Sequence, residues 1–282
     1  MSKFLNPYTD FGFKKLFGEE ANKDLLIDFL NQLLPEHHQI QYLDFRNTEI
    51  MGDFVEERKA IFDVFCMSAT GERFIVEMQK AKTHFFKDRS LFYVTFPIRE
   101  QSQKGLWNFK LTPIYFIAVL DFVYDEAEDK RKFRRDVVLK DQDGDVFFDK
   151  LNFKFLQMPL FHKKETELLT KFDKWCYFLK HLEDMDNIPA ILNEPIFQKA
   201  FETAELAGMT ENERNFYEES LMSYRDMQNA LDTAVDDALK ERDIQFIRKF
   251  IFKGFDNQLI SELTDLNIEQ VEEIRQKINK NL

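Results

Sequence analysis

Residues 61–79, IFDVFCMSATGERFIVEMQ, limit the fold most strongly, because two apolar runs here flank a short polar turn. Side chains alternate across a strand, so a three-residue turn ending at Gly71 would place Asp63 opposite Glu77 and Ile61 opposite Gln79. A two-residue turn would put the two acids on opposite faces. Glycine tolerates the left-handed conformation of a bulged turn, which favours the longer loop.

This register gives the hairpin one apolar face and one face with carboxylates. The predicted apolar face comprises Phe62, Val64, Cys66, Phe74, Val76 and Met78. An ionised carboxylate in an apolar strand costs on the order of several kcal/mol unless it is paired, solvated or bound to a metal. Mg²⁺ commonly takes one or two carboxylates and completes its shell with waters and phosphate oxygens. Asp63 and Glu77 therefore predict either a magnesium site or two exposed acids without a role.

The rest of the pattern predicts an α/β fold, with a mixed central sheet flanked by helices. Helical spacing occurs in TDFGFKKLFG, in NKDLLIDFLNQLL and from His84 to Trp107, with a kink or break expected at Pro97. Strands are predicted in IQYLDF, AIFDVFCM, RFIVEMQK, LTPIYFIAVLDF, FRRDVVLKD, GDVFFDK and FKFLQMPLF. Strand-like alternation ends after His162, so we divide the chain into a core of residues 1–164 and a helical region of residues 165–282.

Composition excludes several classes of protein. The net charge of −12 argues against a protein that coats nucleic acid electrostatically, but local basic clusters exist. These clusters are Lys80, Lys82, Lys87 and Arg89, then Lys130, Arg131, Lys132, Arg134 and Arg135. No zinc-hydrolase, P-loop or dinucleotide motif is present, so no organic cofactor is expected.

The cysteines and the amino terminus indicate a cytoplasmic protein. Cys66 and Cys176 are far apart in the sequence, which favours neither a disulfide scaffold nor a thiolate zinc site. The first residues, MSKFLNPYTD, lack the apolar stretch of a signal peptide, and no apolar run is long enough to cross a membrane.

Three segments resemble the PD-(D/E)XK nuclease superfamily, with its restriction-endonuclease-like fold, and within it the PD-(D/E)XK nuclease family transposases of the recombination-promoting type. They are DFGFKKLFG, KAIFDVFCMSATGERFIVEMQ with its EMQ triplet, and DRSLFY. The resemblance covers roughly residues 5–160 and fits in order and spacing.

The resemblance implies roles for residues of the hairpin. Asp63 and Glu77 would bind the metal, Mg²⁺ or Mn²⁺ in its place, and the backbone carbonyl of Met78 would be a further ligand. Gln79 stands where the superfamily has a lysine, so it supplies hydrogen bonds but no charge. The missing positive charge would come from Lys59, Lys80 or Arg89, and the sequence does not decide among them.

Further residues have two interpretations each. Arg89 and Tyr93 lie one helical turn apart, and they would either hold and orient a phosphate or pack the helix on the sheet. Asp10 would either face the site, as a first-helix acid does in relatives, or cap its helix.

We therefore expect a metal-dependent endonuclease that hydrolyses phosphodiester bonds of DNA, linked to recombination or transposition. Cleavage of both strands would favour a homodimer. The alternatives are an inactive nuclease fold that binds DNA or protein, and a nuclease that acts on RNA. Residues 240–282 resemble a helix-turn-helix pair, but their balanced charge is equally typical of a packing role.

Overall fold

The structure is a computed structural model, and it describes residues 2–50, 60–102, 108–125, 127, 131–264 and 266–280. These residues form two compact units, Met1–Leu221 and Met222–Leu282.

A mixed six-stranded sheet forms the centre of the first unit. Its strands, in sheet order, are β1 (Leu43–Phe45), β4 (Val64–Ser68), β5 (Arg73–Gln79), β6 (Ile114–Leu120), β8 (Val146–Gln157) and β7 (Arg134–Lys140). The strands β5, β6 and β8 are mutually parallel, and the other neighbouring pairs are antiparallel. The carboxyl ends of β5, β6 and β8 therefore lie at one edge of the sheet. Two short strands, β2 (Glu49–Ile50) and β3 (Ala60–Ile61), pair separately.

The predicted register of the β4–β5 hairpin is confirmed. Val64 pairs with Val76 and Cys66 with Phe74, as a three-residue turn requires. Gly71 has φ +92°, and its N–H donates to the Ser68 carbonyl at 3.1 Å. A residue with a Cβ is strained at this φ, so glycine fixes the turn length and with it the face of each acid.

The prediction of one continuous strand from residue 60 to residue 67 is wrong. The chain leaves β5 at Phe62, whose N–H donates to the Thr48 carbonyl at 3.0 Å, and Ile61 pairs with Glu49 rather than with Gln79. Because this bend interrupts the alternation, Phe62 packs against Phe65 and Tyr93 instead of joining the predicted apolar face.

Helix α3 (Phe86–Glu100) packs on one face of the sheet. Phe86, Val94 and Phe96 on the helix contact a cluster of strand residues. That cluster includes Phe65, Ile75, Phe116, Ala118, Phe153 and Phe155. Pro97 lies inside this helix, which continues to Glu100, so the predicted interruption does not end it there.

Every residue of β6 is buried, as its apolar run predicted, so both faces of the sheet are covered. The segment GDVFFDK and the segment FKFLQMPLF were predicted as separate strands, and this is wrong, because both lie in the single strand β8. Strands β7 and β8 form a hairpin whose turn includes Gly144, at φ +91°.

Four further helices of the first unit pack together through aromatic side chains. They are α1 (Asp10–Phe17), α2 (Lys23–Asn31), α4 (Lys171–His181) and α5 (Pro195–Ala204). Trp175 of α4 contacts Phe17 and Phe29 at ring-centroid distances of 5.8 and 5.9 Å. Its indole N–H also donates to Asp28 Oδ1 at 2.7 Å. The packing unit thus continues past residue 164, and the proposed domain division there stays a prediction.

The remaining helices are α6 (Glu211–Phe252), α7 (Asn257–Leu263) and α8 (Ile268–Lys280), so the helical character predicted after His162 is confirmed. In the second unit, Ile247, Ile260 and Val271 form a small buried core. The DNA-reading role of this region stays a prediction.

Both cysteines are buried and free. Within the part of the chain that the structure describes, no helix combines the length and apolarity of a membrane span.

Candidate active site

Two carboxylates meet where β4 begins and β5 approaches its carboxyl end. Asp63 Oδ2 accepts a hydrogen bond from the Met78 N–H at 2.7 Å, and the Asp63 N–H donates to Glu77 Oε1 at 3.3 Å. The Asp63 side chain thus takes the acceptor position that a continuous β4 backbone would have provided. The bend at Phe62 is what frees this position.

Burial makes both carboxylates hard to ionise. Glu77 is 3% exposed, and burial, followed by the charge of Asp63, raises its pKa to about 8. Burial also raises the pKa of Asp63, with a smaller contribution from the charge of Asp10. The Met78 N–H, Lys14 and Lys80 act in the opposite direction on Asp63. The pair therefore favours a proton or a cation between its members.

No ion pair within the described ranges neutralises Asp63 or Glu77. The described part of the chain also contains no cluster of three or more metal-binding side chains, so none of its residues joins the two carboxylates as a third close acidic or histidine ligand. This donor set fits Mg²⁺, which often has only one or two protein carboxylates and takes its other ligands from water and phosphate.

The Met78 carbonyl lies on the same edge of β5 as the bend. In the register of the hairpin, its expected ladder donor is the Phe62 N–H, which instead bonds to Thr48. The bend therefore leaves this carbonyl without its ladder donor, and its place as a further oxygen ligand stays a prediction.

Gln79 connects the carboxylates to helix α3. Its side-chain amide donates to Glu77 Oε2 at 2.8 Å, while its amide oxygen accepts a hydrogen bond from Arg89 Nη2. The Arg89 guanidinium lies 5.9 Å from the centre of the Tyr93 ring, and its charge lowers the pKa of Glu77. Of the two candidate cations that the structure describes, Arg89 is the one that hydrogen-bonds to Gln79, and its role at the site stays a prediction.

The Tyr93 hydroxyl is close enough to respond to the site. Burial, followed by the charge of Glu77, raises its pKa. Its ring also contacts Phe62 at a centroid distance of 5.2 Å. Tyr93 therefore both packs on the hairpin and borders the carboxylates, so the two interpretations of this residue are compatible.

Helix α1 contributes to the electrostatic field at Asp63. Thr9 is the N-cap, accepting a hydrogen bond from the Gly12 N–H at 3.0 Å, so the cap interpretation of Asp10 is wrong. Asp10 pairs with Lys14 at 3.2 Å, and both charges affect Asp63. Sequence reasoning missed Lys14, although its position one turn after Asp10 is a usable signal.

Lys80 is a second predicted cation that acts on the site. It follows β5 and lowers the pKa of Asp63 through its charge. Lys59, the third candidate, lies outside the described residues. The structure thus brings together Asp63, Glu77, Met78, Gln79, Arg89 and Tyr93, with Asp10, Lys14 and Lys80 nearby.

Comparison with known proteins gives one match. The family model described as PD-(D/E)XK nuclease family transposase matches residues 7–234. No curated protein and no solved structure matches the chain.

Proposed function

The chain belongs to the PD-(D/E)XK nuclease family transposases, and from this premise we propose that it is a metal-dependent endonuclease that hydrolyses phosphodiester bonds of DNA. The family places it among nuclease-like proteins with a transposition-related role. The metal dependence, the DNA substrate and the residue roles given below are parts of the proposal.

The carboxylate pair carries this proposal. Asp63 and Glu77 are adjacent, their pKa values are raised, and no ion pair of the described residues compensates them. A buried pair of this kind with no structural cation is costly to ionise. A divalent cation removes that cost and needs few protein ligands besides these two.

Asp63 and Glu77 hold the metal, with the Met78 carbonyl as a further oxygen ligand. A bound Mg²⁺ or Mn²⁺ would polarise the phosphoryl group and make a bound water more acidic. Gln79 positions water or a phosphate oxygen by hydrogen bonds, held in place by its bonds to Glu77 and Arg89. Arg89 supplies the positive charge that a lysine at position 79 would have supplied.

Nicking of supercoiled plasmid tests this proposal. We expect the wild-type protein to nick DNA with Mg²⁺ or Mn²⁺ and to stop when EDTA is added. Asp63→Asn and Glu77→Gln keep the side-chain size but remove the charge, and both should be inactive. Asp149→Asn is the matched control, since Asp149 is an exposed acid of β8 outside the site. Full activity in both site variants would exclude the proposed mechanism.

The raised pKa of Glu77 favours a second candidate, an inactive nuclease fold that binds DNA or protein. With its pKa near 8, Glu77 can retain a proton at neutral pH, so a shared proton is an alternative to a metal. In that case the Gln79 bonds to Glu77 and Arg89 form a closed network with a structural role.

Substrate assays separate these candidates. A folded wild-type protein that binds duplex DNA but cleaves neither DNA nor RNA with any divalent metal would support the inactive module. Cleavage of RNA alone, in an assay with matched DNA and RNA duplexes, would support the proposed active site but make its substrate RNA rather than DNA.

A further inference from the structure

The first unit contains a polar cavity that is lined mainly by basic side chains. It has a volume of about 630 Å³ and lies between the segment that follows β8 and helix α4. Its basic residues are His162, Lys163, Lys164, Lys180 and His181. Sequence reasoning did not identify this group, because its two halves are separated along the chain and meet only in the fold.

Two of these lysines form no ion pair with another described residue. Lys163 is paired with Asp173 at 2.7 Å. Lys164 is exposed and Lys180 is half-buried, and neither is in an ion pair there. The one acid of the cavity wall, Glu165, accepts a hydrogen bond from the Tyr177 hydroxyl at 3.3 Å. The lining thus includes three lysines and one carboxylate, in a chain of net charge −12.

The position of Lys180 inside this cavity is set by its backbone contact. Its ammonium donates to the carbonyl of Phe161, which keeps the charge at the wall. Burial lowers the pKa of Lys180, while the charge of Asp121 partly offsets this. Burial, followed by the charge of Lys180, lowers the pKa of the neighbouring His181. An anion in the cavity would stabilise the charged form of Lys180.

The cavity lies at the same edge of the sheet as the carboxylate pair. The parallel strands β5, β6 and β8 end together there, at Gln79, Leu120 and Gln157. Asp121, which affects Lys180, donates its N–H to the Gln79 carbonyl at 3.0 Å. Asp121 thus contacts the end of β5 directly and acts on Lys180 of the cavity through its charge.

We infer that this cavity binds a backbone phosphate of the DNA, at a position that flanks the cleaved bond. The inference rests on the proposed function for its substrate class. Lysine ammonium groups are common phosphate ligands, and phosphate contacts fix a duplex without reading its sequence. The wall from His162 to Thr166 is exposed, so a polymer passing along the sheet edge can reach it.

The test measures duplex binding by the full-length chain in Ca²⁺, with the salt dependence of Kd as the main readout. Lys164→Gln removes an exposed charge with no risk to the core, and Lys180→Gln removes the half-buried one. Lys110→Gln is the matched control, because Lys110 is exposed and precedes β6 at the opposite edge of the sheet. Lys180→Arg keeps the charge and should retain binding.

Loss of one phosphate contact should reduce the slope of log K against log salt by about 1. We expect each Gln variant at the cavity to show this change and to raise Kd about fivefold to tenfold. The control should match the wild-type protein in Kd and slope. Wild-type Kd and slope in Lys164→Gln would overturn the inference.

One further result distinguishes a DNA contact from a site for a free anion. Another distinguishes this inference from the nuclease proposal. If calorimetry shows that inorganic phosphate binding needs Lys164 and Lys180 but duplex binding does not, the site takes a free anion and the inference is wrong. If the cavity variants weaken duplex binding while the wild-type protein cleaves no nucleic acid, the phosphate contact stands, but the nuclease proposal and the position beside a cleaved bond fail. Normal cleavage with unchanged duplex binding in the cavity variants would sink the inference alone.

Discussion

Two acids at the same edge of the sheet have opposite electrostatic surroundings. Asp125, which follows β6, accepts hydrogen bonds from Arg135 Nη2 at 3.0 Å and from Gln157 Nε2 at 2.7 Å. These contacts hold its pKa below the ordinary value although its burial acts in the other direction. Glu77 is more deeply buried, has no such cation in contact, and has a pKa raised to about 8.

The difference lies in the partners rather than in burial alone. Asp125 is compensated by a guanidinium, so it stabilises the loop that connects β6 to β7. The charge of Asp63 acts on Glu77 more strongly than that of Arg89, and it makes the ionisation of Glu77 harder. Asp125 therefore has a structural role, while Glu77 needs a positive charge that the described residues do not supply.

The largest expected effect is on catalysis. Asp63→Asn should lower the rate of plasmid nicking at least about 1,000-fold, because loss of a metal ligand removes several kcal/mol of charge stabilisation. Asp125→Asn should leave the rate of the folded protein within about threefold of wild type, since Asp125 contacts no proposed ligand. Equal losses in the two variants, measured on samples with equal folded fractions, would remove the contrast between the two acids.

The second expected effect is on stability, where the substitution of Asp125 should cost more than the substitution of Glu77. Asp125→Asn weakens charge-assisted hydrogen bonds and should lower the free energy of unfolding by about 1–3 kcal/mol. Glu77→Gln should cost less than that at neutral pH, where Glu77 retains its proton, and should stabilise the metal-free protein above about pH 8, where the neutral amide removes a buried charge. Urea denaturation of both variants in EDTA measures the difference. A larger loss for Glu77→Gln would show that the carboxylate already has a stabilising partner.

The pH dependence of stability should also distinguish the two regions. Glu77 has a folded-state pKa of about 8 against an ordinary 4.5, so the folded protein binds more protons than the unfolded chain between these values. The free energy of unfolding of the metal-free protein should therefore fall as pH rises from about 5 to about 8. Most of this fall, on the order of a few kcal/mol, should disappear in Glu77→Gln. The same slope in variant and wild type, followed by urea denaturation, would place the titrating group elsewhere.

The smallest effect is expected at Arg89. Arg89→Gln removes a charged hydrogen bond to Gln79 and should reduce cleavage about tenfold, which corresponds to about 1.4 kcal/mol. Arg89→Lys keeps the charge and should fall between this variant and wild type. The charge of Arg89 lowers the pKa of Glu77. Loss of this charge should shift the pH–rate profile to higher pH, by more in Arg89→Gln than in Arg89→Lys. Identical profiles in the two variants would indicate a packing role only.

The sequence predicted the structure best where a single residue determines the local backbone geometry. Gly71 requires a turn of fixed length, and turn length determines which side chains share a face, so the β4–β5 register was predictable. The mixed sheet, its flanking helices and the helical carboxyl-terminal region followed from periodicity and are confirmed. The family resemblance is confirmed over residues 7–234.

Tertiary partners were not predictable in the same way. The bend at Phe62 arises because its N–H bonds to Thr48, a contact that no local pattern indicates. The bond from Arg89 to Gln79 and the approach of α1 to Asp63 likewise depend on how helices dock. The basic cavity combines the segment that follows β8 with helix α4, and each is ordinary when taken separately.

Calorimetric titration of the metal-free protein with Mn²⁺ tests the central claim most directly. The account predicts one site in the wild-type protein, with release of a proton near pH 7 as Glu77 is deprotonated, and no site in Asp63→Asn or Glu77→Gln. Asp125→Asn should bind Mn²⁺ as the wild type does. Binding that persists in both site variants, or a folded wild-type protein that binds no Mn²⁺, would contradict the account.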